Sequence, residues 1–327
     1  MPPPTRFGGG IWNADVVKAE ANRTPLPPHA GTELLTMVAS AGPGAEQAVE
    51  DLVQRLAPRV IDGNAGFVLA CERDAVVLAL KAANLHKEIS ALSDWRAGSP
   101  DEPFVAGLAM TAEQEQRRSD DEAGAFGSVP YFDARTSRVH VSRSIGYGPS
   151  VSLINLRPRR GGTPDGVDLV YLHPRDGALA VLRYTEAKTW PGSYQMQISS
   201  GIGFAHAAVL DPLRELDESF TSTVNPNDPR MVASACFVKF AGHKSFDPDA
   251  NALIAGNIHV AADLRAPAPR LDDPFTSDRH LNNSTFAALL GAGWLGARAA
   301  DERLLFATAR KLVANNRAVL IAIQDYD

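Results

Sequence analysis

Apolar positions along the chain recur in two periods. Over residues 45–56 they fall at Val49, Leu52, Val53 and Leu56, the i, i+3, i+4, i+7 stripe of an amphipathic helix. Residues 73–92 carry a similar stripe with Val76, Leu80 and Leu85, and residues 297–314 another with Leu304, Leu305, Ala309 and Leu312. Residues 281–290 form a further short helical segment, and Ser193 is placed to cap a helix from 194 to about 216. Between them lie short β-branched runs, over 66–71, 138–144, 151–156, 167–172, 178–185, 231–240, 258–263 and 318–324, that read as strands. Strands that alternate with helices in this way predict an α/β protein with a central sheet.

The punctuation of the pattern suggests three parts. Residues 1–30 are rich in Pro and Gly and read as a flexible arm. Residues 31–100 read as a small α/β or helical unit, closed by a Ser/Pro/Gly/Asp-rich break over 95–102. Residues 101–327 then carry most of the strands. A charged stretch over 111–123 reads as a solvated helix face, with Glu113 or Glu115 as a candidate extra carboxylate.

Composition changes little in this picture. The 327 residues are 45% hydrophobic and 21% charged, ordinary for a globular chain. A net charge of −6 supplies no global basic field, so any nucleic-acid contact must come from a local basic groove. Arg157, Arg159 and Arg160 are the candidate for one. Two cysteines, Cys71 and Cys236, make neither a disulfide framework nor a zinc pattern, which fits a reducing compartment. No apolar run approaches the ~20 residues of a membrane span, and the first residues lack a secretory pattern. A cytoplasmic protein without membrane contact is the expectation. Asp247, Asp249 and Asn251 mimic the opening of a calcium loop, but Ala252 and Ile258 stand where Gly and Glu are needed.

The chemistry-bearing stretch is the strand pair over 163–188. His173-Pro174-Arg175-Asp176-Gly177 carries turn residues. Asp165 and Asp168 stand where the first strand begins; Glu186 and Lys188 stand where the second ends. Folding the hairpin gathers these ends. Converging carboxylates repel one another and are costly to desolvate, and a hard divalent cation relieves both. Mg²⁺ binds through one or two carboxylates plus waters and phosphate oxygens. Lys188, two residues beyond Glu186, shares its side of the strand and can orient a water or a phosphate oxygen. Metal, lysine and water are the parts needed for phosphodiester hydrolysis.

The run Gly166-Val167-Asp168-Leu169-Val170-Tyr171 followed by Glu186-Ala187-Lys188 resembles the PD-(D/E)xK nuclease superfamily, in particular its bacterial toxin and antiphage defence branches. The resemblance covers roughly residues 151–213. It implies a restriction-endonuclease-like mixed central sheet flanked by helices, here with an N-terminal α/β or helical extension. It also implies an Mg²⁺-dependent (or Mn²⁺-dependent) endonuclease acting on DNA in preference to RNA, in restriction, phage defence or as a toxin. Asp168 and Glu186 would be the metal ligands, with Lys188 catalytic and Gln195 or Gln197 assisting from the first turns of the next helix. The alternative is an inactive module of the same fold that binds nucleic acid or a partner protein, or self-associates.

Hairpin parity decides which aspartate joins Glu186. A two-residue loop at Asp176-Gly177 sets Asp165 against Lys188, on the side of Glu186; a three-residue loop, or a bulge, puts Asp168 there instead. The resemblance favours Asp168, with Asp165 the other candidate.

Overall fold

A computed structural model describes residues 36, 40, 60–95, 102–108, 132, 134–142, 148–159, 163–189, 196–198, 202–220, 234–242, 245–248, 253–264, 280–298 and 300–326. The arm over 1–30, the helix over 45–56, the charged stretch with Glu113 and Glu115, Arg160 and Gln195 lie outside the described residues. The chain divides into two units, Met1–Arg59 and Val60–Asp327. In the first, the Ser40 N–H donates to the Thr36 carbonyl at 3.2 Å.

The second unit is built on a mixed sheet. Its strands are β1 (Ala134–Ser142), β2 (Pro149–Pro158), β3 (Val167–His173), β4 (Ala178–Thr189), β5 (Met196–Ile198), β6 (Cys236–Gly242), β7 (Gly256–Val260) and β8 (Ala318–Tyr326). The helices are α1 (Gly63–Ala82), α2 (Ile202–Phe220), α3 (Asn283–Gly291) and α4 (Glu302–Ala314). The sheet order is β1-β2-β8-β3-β4-β6-β7, with the short β5 pairing β4. β3 runs parallel to β8 and β4 parallel to β6; β1–β2, β2–β8, β3–β4 and β6–β7 are antiparallel. The last strand of the chain is thus inserted at the centre of the sheet, between β2 and β3.

Two apolar layers flank the sheet. On one face α1 and α3 pack against Leu153, Leu169, Leu182, Tyr184, Phe237 and Leu320. On the other, α2 and α4 pack against Ile154, Val170, Val181, Val238 and Ile321. Adjacent residues in each strand go to opposite layers, as the pleat requires. Strands covered on both faces read as near-continuous apolar runs, which is how β2, β3 and β8 appear in the sequence.

The run over 66–71 is not a strand. It is the first half of α1, whose Val68, Leu69, Cys71, Ala75 and Leu78 are all fully buried. A helix buried nearly all round loses its 3.6-residue contrast, so a short apolar run cannot be told from a buried strand. Since α1 lies in the unit Val60–Asp327, the sheet's own unit begins well before residue 100. The helix expected from 297 starts at Glu302, where the Asp301 side chain accepts from the Leu304 N–H at 2.9 Å, an N-cap that fixes the first turn. The helix expected from 194 starts at Ile202, and β5 precedes it.

Candidate functional site

The β3–β4 turn sets the register of everything that follows. Pro174–Asp176 forms a single 3₁₀ turn, the His173 ring accepts from the Asp176 N–H, and Gly177 closes it at φ 56°. Only glycine takes such a left-handed angle without steric cost. His173 therefore faces Ala178, and the loop is four residues long, neither of the two lengths expected. Its parity matches the shorter of the two. Asp168 faces Arg183, the last pair of the ladder, and by parity alone position 165 would take the face of Glu186.

Asp168 and Glu186 consequently belong to opposite faces of the sheet. Asp168 shares the α2/α4 side with Arg183, whereas Glu186 shares the α1/α3 side with Tyr184. Asp168 is fully buried, and both its carboxylate oxygens are taken. Arg183 Nε donates to Oδ1 at 2.9 Å and Nη2 to Oδ2 at 3.1 Å. Arg317 Nε donates to Oδ2 and its Nη2 to Oδ1, each at 3.1 Å. Burial alone would raise the Asp168 pKa, but the two guanidiniums outweigh it and hold the carboxyl below its ordinary value. The same carboxylate draws the Arg183 pKa upward against the pull of burial. Asp168 thus forms an internal ion cluster with Arg183 and Arg317, which ties β3, β4 and the start of β8 together. That geometry corrects its expected role beside Glu186.

Asp165 lies just outside β3 and is exposed. Its N–H donates to the Asn316 carbonyl at 3.0 Å and its own carbonyl accepts from Arg317 Nη1 at 3.2 Å. The backbone of Asp165 is pinned while the residue faces solvent. Glu186 is half-buried on β4, paired with Ala241 of β6. Position 188 follows two residues on and has the same parity as Glu186. Its partner across the edge ladder is Gln197, on the strand β5 rather than on a helix. The sequence set therefore separates. Glu186, Lys188 and Gln197 lie along the end of β4 and its partner β5, Asp165 lies just before β3, and Asp168 belongs to the other face of the sheet.

Beneath Glu186, on the same face, lies a second buried polar cluster. Asp74 of α1 accepts from the Tyr184 hydroxyl at 2.7 Å, from Lys239 Nζ at 2.6 Å and from the Ile254 N–H at 2.6 Å. Burial, with the Asp74 carboxylate adding to it, pushes the Tyr184 phenol well above its usual range, so it stays a neutral donor. Further along α1, Glu72 is gripped by Arg157 through two bonds of 2.8 Å, and by the Asn155 amide and the Phe104 N–H. Arg157 is buried in this pairing, which corrects the reading of it as a phosphate clamp; Arg159 beside it is exposed.

The donors at the sheet end are hard oxygens, the type that Mg²⁺ and Mn²⁺ take. Asp165, exposed just before β3, and Glu186, half-buried on β4, are the two carboxylates of the sequence set that remain outside the Asp168 cluster. Among the described residues no group of three or more His, Cys, Asp or Glu side chains is gathered as a metal cage. That donor set suits an ion completed by water and substrate oxygens rather than one held by protein alone.

Residue reasoning missed the arginines. Arg183 carries a local signal: it is a charged residue inside an apolar strand, and alternation assigns it to a buried face. Arg317 has none, since it lies 149 residues from Asp168 in sequence. The fold and site define an α/β protein with a mixed sheet and a carboxylate-bearing sheet end. No family model, no curated protein and no solved structure matches the chain. Among the described residues no helix is long and apolar enough to cross a membrane.

Proposed function

We propose that this chain is a metal-dependent nuclease that hydrolyses phosphodiester bonds, DNA in preference to RNA, with Asp165 and Glu186 as the metal-binding pair. The observation that carries the reading is the parity of the hairpin: the β3–β4 ladder ends at Asp168 with Arg183, and continued by parity it would give position 165 the face of Glu186, which position 188 shares. With Asp165 as ligand the chain reads Pro164-Asp165, then Glu186-Ala187-Lys188, the motif as the family's name spells it. A restriction-endonuclease-like core is supported by the order helix, antiparallel strands, crossover helix α2 and parallel strand β6.

Bound Mg²⁺ or Mn²⁺ would supply a Lewis acid for the phosphoryl oxygen and lower the pKa of the attacking water. Asp165 and Glu186 would hold the ion and offset its charge. Lys188 orients the water and stabilises negative charge as it grows on the phosphate. Gln197 is the register partner of Lys188. Asp168 takes no part in the chemistry.

The test is cleavage of supercoiled, linear and single-stranded DNA with a panel of divalent metals. Asp165→Asn and Glu186→Ala should each abolish Mg²⁺-dependent cleavage. Asp165→Asn should melt within about 2 °C of wild type, as a surface change worth about 0.5 kcal/mol or less does. Full activity in either variant refutes the pair. The second reading is a nuclease-fold module that binds nucleic acid or a partner protein without metal. That module would bind DNA equally well with metal or with chelator, and Glu186→Ala would leave binding unchanged.

A further inference from the structure

We infer that Arg317 is a positioning residue that fixes the Asp165 turn against β4 at Tyr184; its bearing on metal binding rests on the nuclease reading above. The guanidinium sits where the β3–β4 ladder ends. That ladder's last pair is Asp168 with Arg183, whereas β3 continues to pair with β8 as far as Val167. Where the strands stop bonding each other, Arg317 Nη2 reaches the Val167 carbonyl at 3.0 Å and the Tyr184 carbonyl at 3.2 Å. One cation therefore bridges the two strands just past their last shared bond. Its Nη1 takes the Asp165 carbonyl, and its remaining bonds go to Asp168.

Asp168 anchors the guanidinium, and the guanidinium anchors the backbone of residues 165–167. Gly166 completes the arrangement. It has φ 151°, and a Cβ there would lie 2.5 Å from Arg317 Nη1. The chain passes flat against the guanidinium because position 166 has no side chain. The Asp165 N–H to Asn316 carbonyl bond and the Ala318 N–H to Gly166 carbonyl bond hold the other edge of the turn. A fork of five donors suits this task, and a lysine has neither the planarity nor the number of donors to replace it.

Two measurements on the full chain test the inference and separate it from the reading beneath it. The first is amide hydrogen exchange without metal. Arg317→Lys should speed exchange at 165–167 at least tenfold and leave the amides of α1 unchanged. Gly166→Ala, which crowds the guanidinium but leaves the Arg183–Asp168 pair in place, should do the same if Arg317→Lys fails to fold. Unchanged exchange at 165–167 in a folded variant overturns the inference whatever the metal data show. The second is Mn²⁺ titration by calorimetry. Wild type should bind, Glu186→Ala should not, and Arg317→Lys should bind about 10–100-fold more weakly, the usual effect of losing a group that orients a ligand. Wild-type affinity in Arg317→Lys overturns the metal-positioning role. No Mn²⁺ binding by wild type refutes the nuclease reading and that role with it, leaving the exchange result to decide the anchoring of the turn.

Discussion

Replacing Asp168 with alanine separates a structural carboxylate from a metal ligand. The substitution removes four charge-assisted hydrogen bonds, two from Arg183 and two from Arg317. Arg183 is 4% exposed and cannot regain water; Arg317 is 11% exposed and can regain some. The expected loss is therefore that of breaking one buried ion pair from one side, about 3–5 kcal/mol, rather than twice that. At about 2–4 °C per kcal/mol for a domain near this size, the melting midpoint should fall by about 6–20 °C. The assay is thermal and urea unfolding in the presence of a chelator, so that no bound ion contributes. A carboxylate serving only as a metal ligand gives the opposite result, because its removal leaves the metal-free protein as stable as before or more so. A metal-free midpoint within about 2 °C of wild type would refute the ion-cluster assignment. The pH dependence gives a second check. The folded-state pKa of Asp168 is depressed, so its contribution is complete above the unfolded value of about 3.9 and is lost as pH falls through the folded value. The gap between wild type and Asp168→Ala should hold steady from about pH 8 to pH 5 and narrow below about pH 4.

Two further outcomes follow from the clusters on α1. Glu72→Ala should cost about 3–5 kcal/mol in urea unfolding, since it strands the buried Arg157 guanidinium along with the Asn155 amide and the Phe104 N–H. Tyr184→Phe removes one of three donors to Asp74 and should cost about 1–2 kcal/mol by the same assay. A cost near zero for Tyr184→Phe would mean that Lys239 and the Ile254 amide satisfy Asp74 by themselves.

The sequence alone determined most of the sheet. β-branched runs bounded by turn residues located β1 to β4, β6, β7 and β8; in the inner strands β2, β3 and β8 the apolar run matches burial on two faces. It also put Glu186 and Lys188 near the end of β4. The tertiary structure decided the rest. It assigned residues 66–71 to a helix, because burial on all sides erases the period that distinguishes helix from strand. It inserted β8 beside β3, bringing Arg317 to Asp168 from 149 residues away. And it chose the loop length that separates Asp168 from Glu186. A strand's side chains alternate with a period of two, so one residue more or less in a turn moves every later residue to the other face. Composition cannot count that residue; only the closed turn, with His173 and Gly177 holding it, does.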